Sequence, residues 1–145
     1  LTTDEILRCQ ASTRRFALVA SCWSAAIAPQ QPDEVLGLPR ALLEIGFQGV
    51  VASLWPVDDR AAFLLVLKFL AGVGNGLSGP ESLSRARRWL RETKRERLID
   101  WVSDSTDAAT VSHETRDQLT SWLIDRGETP CSDARYWGAF IYVGS

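Results

Sequence analysis

Two short apolar runs constrain the fold of this chain more than any other feature. Phe16-Ala17-Leu18-Val19-Ala20 holds five consecutive apolar residues, and Gly49-Val50-Val51-Ala52-Ser53-Leu54 is nearly as apolar. Neither alternates polar with apolar, so each reads as a strand buried on both faces, as in a parallel sheet. Each run gives way to a distinctive segment: Ser21-Cys22-Trp23-Ser24 after the first, Trp55-Pro56-Val57-Asp58-Asp59 after the second. Trp137-Gly138-Ala139-Phe140-Ile141-Tyr142-Val143 reads as a last strand.

Helical patterns separate these runs. Thr2 and Glu5 stand in capping-box spacing at the start of a short helix ending near Cys9. Asp33 is placed to cap a helix through Val35, Leu36, Leu42, Leu43 and Ile45, stopped by Gly46. Pro39 requires that helix to begin near it or to kink there. Asp58 or Asp59 caps a helix through Ala62, Leu65, Leu67, Phe69 and Leu70, stopped by Gly72, Gly74 and Gly76. That helix is apolar nearly all round and is expected to be buried on more than one side. Pro80 fits the first position of a long amphipathic helix whose stripe runs through Leu83, Ala86, Leu90, Leu98 and Trp101. Ser103 to Thr110 reads as a loop, and Ser112 caps a further helix bearing Leu119, Trp122 and Leu123. Strands alternating with helices argue an α/β fold with a largely parallel sheet. Three strands are few for so many helices, and the chain has no Met. Both observations suggest the C-terminal part of a larger α/β unit.

Composition excludes several classes. Sixteen Lys plus Arg against eighteen Asp plus Glu leave a formal charge of −2, which gives no field for attracting nucleic acid or an anionic membrane. The basic stretch Arg85 to Arg97 is interleaved with Glu92 and Glu96, as on a solvated helix. No apolar run approaches the roughly 20 residues of a membrane span. Three Cys make no disulfide framework, and a reducing, cytoplasmic setting is expected. The three Cys and the single His show no metal-ligand spacing, so neither a metal nor a cofactor is expected. Fourteen Arg against two Lys suggest a GC-rich, bacterial genome.

In open parallel sheets, ligands bind beyond the carboxyl ends of the strands. If the two runs are neighbours, Ser21, Cys22 and Trp23 share one crevice with Ser53, Trp55, Asp58 and Asp59. Cys22, at the exit of a strand, has the position of a nucleophile, although a free Cys is also a common small core residue. Asp58 and Asp59 would favour a basic side chain in that crevice through a charge-assisted pair. Equally, either would cap the following helix. Cys9 and Cys131 are read as structural, and His113 as a solvated residue in the first turn of a helix.

Asp33-Glu34-Val35-Leu36-Gly37-Leu38-Pro39-Arg40-Ala41-Leu42-Leu43, then Gly49 to Asp59, resembles the CHAT family, caspase-like clan CD cysteine peptidases often attached to tetratricopeptide repeats. Ala20-Ser21-Cys22-Trp23-Ser24 is similar to the family's small-small-Cys-x-Thr/Ser element, and Tyr136 to Gly144 to its final strand. Ala20-Ser21 stands for the more usual Ser-Ala, and Trp23 replaces a common Glu. The resemblance implies a caspase-like three-layer α/β/α fold, seen here as its C-terminal part with about three mostly parallel strands. It implies one domain over 1–145, with a helical insertion at about 95–135. Cys22 would be the catalytic nucleophile, its base a His upstream of Leu1, and the reaction peptide hydrolysis through a thioester. The Trp55 to Asp59 turn would line the S1 side of the cleft. Expected partners are a polypeptide substrate and the N-terminal remainder of the domain, with no nucleic acid and no membrane. The alternative is a catalytically inactive interaction module of the same fold.

Overall fold

The computed structural model describes residues 16–19, 37–104 and 111–145. The N-terminal helix, Asp33 as a cap and the Ser103 to Thr110 loop beyond Asp104 therefore lie outside the described residues. In chain order the elements are β1 (Phe16–Val19), α1 (Gly37–Glu44), β2 (Gly49–Ser53), α2 (Asp59–Gly74), α3 (Gly79–Glu92), α4 (Arg95–Asp104), α5 (His113–Ile124), α6 (Ala134–Trp137) and β3 (Phe140–Gly144). The fold is α/β. Two compact units emerge, Leu1–Pro56 with Phe140–Ser145, and Val57–Ala139.

In the first unit the sheet order is β1-β2-β3. β1 and β2 run parallel, with Val19 opposite Ala52, and β3 is antiparallel to β2, with Phe140 opposite Ser53. Every residue of β2 is buried, as its unbroken apolar run requires. β1 is less covered than its sequence suggests. Leu18 is exposed, and among the described residues only β2 pairs with this strand. α1 begins two residues before Pro39, which therefore sits in the first turn, where a missing N–H leaves no bond unmade. It ends in a Schellman arrangement: Phe47 N donates to Leu42 O and Gly46 N to Leu43 O, with Gly46 at φ 104°. Glycine is required again where β3 closes on the chain before β2. Gly144 has φ 138°, and a Cβ there would overlap Gln48 O.

The second unit is helical. Asp58 caps α2 by accepting from Arg60 N, and Ser78 caps α3 by accepting from Glu81 N. α2 closes on Gly76 (φ 89°), with Leu77 N donating to Gly72 O. Gly72 is thus not a stop but an internal residue that lets α3 approach, and Ser82 Oγ on α3 donates to Phe69 O at 2.6 Å. α2 is not buried all round. Ala61, Ala62, Leu64, Leu65 and Phe69 are buried, while Phe63 and Leu70 are exposed.

The expected single helix from Pro80 to Trp101 is two helices. Thr93 takes an extended conformation (ψ 130°), and its hydroxyl donates to Trp89 O at 2.5 Å, a side-chain bond that competes with the next helical turn. Leu98 and Trp101 accordingly belong to α4. Lys68 on α2 lies 5.1 Å from the Trp89 ring and 5.5 Å from the Trp101 ring, with the two indoles edge-on at 4.8 Å. That cation and its two rings join α2, α3 and α4.

The chain just before β3 also departs from expectation. Tyr136 and Trp137 lie in α6, capped by Asp133, and the strand begins only at Phe140. A short apolar run carries no period long enough to separate helix from strand.

Candidate functional site

The parallel pairing of β1 with β2 sends both strands out at one edge of the sheet. Ser21, Cys22 and Trp23 follow β1 and lie outside the described residues. Of the other four residues expected at this crevice, Ser53 closes β2 and is buried, and Trp55, two residues on, is 38% exposed. Asp58 and Asp59 begin the second unit.

The structure shows how Asp58 is used. It accepts from Arg60 N at 3.0 Å as the cap of α2. The same carboxylate takes a two-pronged bond from the Arg60 guanidinium, Nε to Oδ1 at 2.9 Å and a terminal N–H to Oδ2 at 2.8 Å. The Arg60 bonds hold its pKa below the ordinary carboxylate value, against the opposing effect of burial. Asp59 is the exposed first residue of the helix. One of the two acids therefore caps, as the sequence alternatives allowed, and it is Asp58.

Around Arg60 lies a cluster that sequence reading did not single out. The Arg60 guanidinium lies 5.1 Å from the centre of the Trp122 ring, and that of Arg126 lies 4.2 Å from it. Trp122 meets Tyr136 edge-on at 6.4 Å. The Tyr136 hydroxyl accepts from Arg126 at 2.7 Å and from Arg135 at 2.9 Å. Trp122 and Tyr136 are both buried, and the indole N–H of Trp122 has no acceptor among the described residues. An open groove of about 1010 Å³ runs past Arg60, Trp122 and Arg126 along the outer face of α5, past Glu114, Asp117 and Ser121. The one usable signal in the sequence was the Asp58-x-Arg60 spacing at a helix start. Nothing local pointed to Trp122 or Tyr136.

The remaining titratable groups are accounted for locally. Cys131 is fully buried, and burial pushes its thiol up to about 12, which suits a packed and unreactive side chain. His113 opens α5, is 94% exposed, and faces Asp117 across 3.4 Å. The cations of the Arg85 to Arg97 stretch are largely engaged nearby. Arg85 pairs with Glu81, Arg91 with Glu92 and Lys94 with Glu128. Arg87 and Arg91 both lie over Trp137. Among the described residues, no three His, Cys, Asp or Glu side chains come together to hold a metal ion. Among them, too, no helix is long and apolar enough to cross a membrane.

Comparison with known proteins agrees with the resemblance drawn from the motifs. The family model described as "CHAT domain" matches residues 1–145, both units included. Tetratricopeptide repeat protein 28 from human is 30% identical over 94 residues, and its mouse counterpart 31% over the same length. That alignment takes in 65% of this chain and 4% of each relative, so the chain matches only a small part of their length. No solved structure matches it.

Proposed function

Because the chain belongs to the CHAT domain family, we propose that it is the nucleophile-bearing part of a cysteine endopeptidase, with Cys22 attacking the scissile carbonyl of a bound polypeptide. The observation that carries this reading is the parallel register of β1 and β2, Val19 opposite Ala52. Three residues of chain reach at most about 10 Å, so a thiol at position 22 is tethered to the edge where β2 also ends. Thr or Ser hydroxyls would need stronger activation at such a place; a thiolate is a strong nucleophile once a base has taken its proton.

The steps are those that the family resemblance implies. The Cys22 thiolate adds to the carbonyl carbon, and the Cys22 backbone N–H helps hold the developing oxyanion. The C–N bond breaks, the amine leaves with a proton from the general acid, and a thioester links the acyl fragment to Cys22. Water then cleaves the thioester, releasing the carboxylate and restoring the thiol. The family resemblance implies that the acid–base residue is a His upstream of Leu1; His113 is a solvated helix-start residue facing Asp117. Ser21, Trp23, Ser53 and Trp55 line the cleft. The chain acts as the C-terminal portion of one CHAT domain in which 95–135 is a helical insertion. It works beside an N-terminal remainder and, as the names of the human and mouse relatives suggest, with tetratricopeptide repeats. Its expected setting is the cytoplasm, where reducing conditions keep a free thiol reduced.

The test is peptide cleavage by the full-length protein and by Cys22→Ala. Loss of cleavage at an unchanged melting temperature is the expected result. Equal cleavage by the variant would refute the assignment, and cleavage by neither protein would favour the interaction-module reading.

A further inference from the structure

Asp58, Arg60 and Trp122 have the relation of a receptor and its ligand. Asp58 meets Arg60 with both oxygens, at 2.9 and 2.8 Å, the forked geometry by which a carboxylate recognises a guanidinium. The Trp122 ring lies 5.1 Å from the same guanidinium, within the range over which an indole attracts a cation. Both recognition groups are held by contacts that do not depend on the Arg60 side chain. Asp58 is anchored through its bond from the Arg60 backbone N–H. Trp122 is 8% exposed and is braced by Arg126 and Tyr136. The occupant is less confined: the Arg60 side chain keeps 48% of its surface exposed and faces the groove that also passes Trp122.

We propose that Asp58 and Trp122 form a guanidinium-binding site which the chain fills with its own Arg60, so that Arg60 decides whether an arginine side chain of another polypeptide is accepted there. In the unaltered protein the two acids of the Trp55 to Asp59 turn do not then act together as counter-ions for a basic side chain. Asp58 is already matched, and an incoming arginine must displace a guanidinium tethered two residues away, at an effective concentration of millimolar order or above. The consequence for substrate choice rests on the peptidase reading given above, whereas occupancy of the site is measured without any cleavage.

The experiment uses Nα-acetyl-arginine N-methylamide as probe, followed by saturation-transfer NMR on the full-length protein. Arg60→Ala and Arg60→Gln remove the internal occupant, and both residues suit the first turn of a helix. Both variants are expected to bind the probe at least about tenfold more tightly than the unaltered protein, as removal of a tethered competitor requires. Adding Asp58→Asn, which preserves the cap, should abolish that gain, and the uncharged citrulline analogue should show none. Equal binding by the unaltered protein, no gain in either Arg60 variant, or a gain that survives Asp58→Asn would each overturn the proposal. Because Cys22 takes no part in this readout, failure here is distinguishable from failure of the peptidase assignment.

Discussion

Gly72→Ala is the substitution on which the structure and simple propensity disagree most. Gly72 is the third residue from the end of α2, and alanine in a helix is favoured over glycine by about 1 kcal/mol. A Cβ at this position, however, would overlap Ser82 Oγ and come within 3.2 Å of both Ser82 Cβ and Leu77 Cδ1. Ser82 is 1% exposed, and its hydroxyl donates to Phe69 O at 2.6 Å. Rotating the hydroxyl away leaves a buried donor unpaired, at about 1–3 kcal/mol. Keeping it in place forces α2 and α3 apart, at about 1–3 kcal/mol for overpacking. These are alternative responses, so one or the other applies, and set against the helical gain the net cost is about 0–2 kcal/mol. In a chain of this size that lowers the melting temperature by up to roughly 6 °C. Chemical denaturation of Gly72→Ala, Ser82→Ala and the double variant supplies the assay. Ser82→Ala alone should cost about 1 kcal/mol, the ordinary net worth of one hydrogen bond. The double variant should be no less stable than Ser82→Ala, giving a favourable coupling at least as large as the cost of Gly72→Ala alone. A Gly72→Ala protein more stable than the unaltered one by the full helical gain of about 1 kcal/mol would refute the close packing of α2 on α3.

Two further variants address the strand-end turn and the sheet. The Asp58 pKa lies below its unfolded value, so its charge contributes stability above the unfolded pKa, and that contribution is lost as pH falls through the folded pKa. Acid titration from about pH 6 to 2 should therefore destabilise the unaltered protein more than Asp58→Asn, and parallel curves would contradict the pairing with Arg60. Gly144→Ala combines φ 138° with overlap on Gln48 O and a 2.7 Å approach to Gly49 Cα. It should cost at least about 2 kcal/mol in denaturant melts, and a loss under half that would mean β3 is held less tightly than described.

The parts of this fold that were legible in the sequence are those set by local chemistry. Gly46 ends α1 because the closing turn needs a positive φ, and Asp58 and Ser112 cap because their side chains reach backbone N–H groups one short turn ahead. The run Gly49 to Ser53 is a fully buried strand for the reason its unbroken apolarity gave. What escaped was set by partners distant in sequence. The stripe through Leu90 and Leu98 continues across Thr93, so periodicity alone joins α3 to α4, and only the Thr93 bond to Trp89 O reveals the break. Trp122 and Tyr136 read as ordinary core aromatics. Their meeting with Arg60 and Arg126 depends on how α2, α5 and α6 pack, which no local pattern encodes. The distinction between Asp58 and Asp59 was open for the same reason. Either acid can cap, but the Arg60 fork closes on Asp58 alone.

The reactivity of the thiol at position 22 is tested most directly by covalent capture. Full-length protein treated with a peptidyl acyloxymethyl ketone and digested for mass spectrometry should carry the inhibitor on Cys22 through a thioether. Cys131, buried and with its thiol pushed up to about 12, should stay unmodified in the folded protein. An adduct on Cys131 in preference to Cys22, or an unmodified Cys22 in protein that still cleaves peptides, would contradict the account.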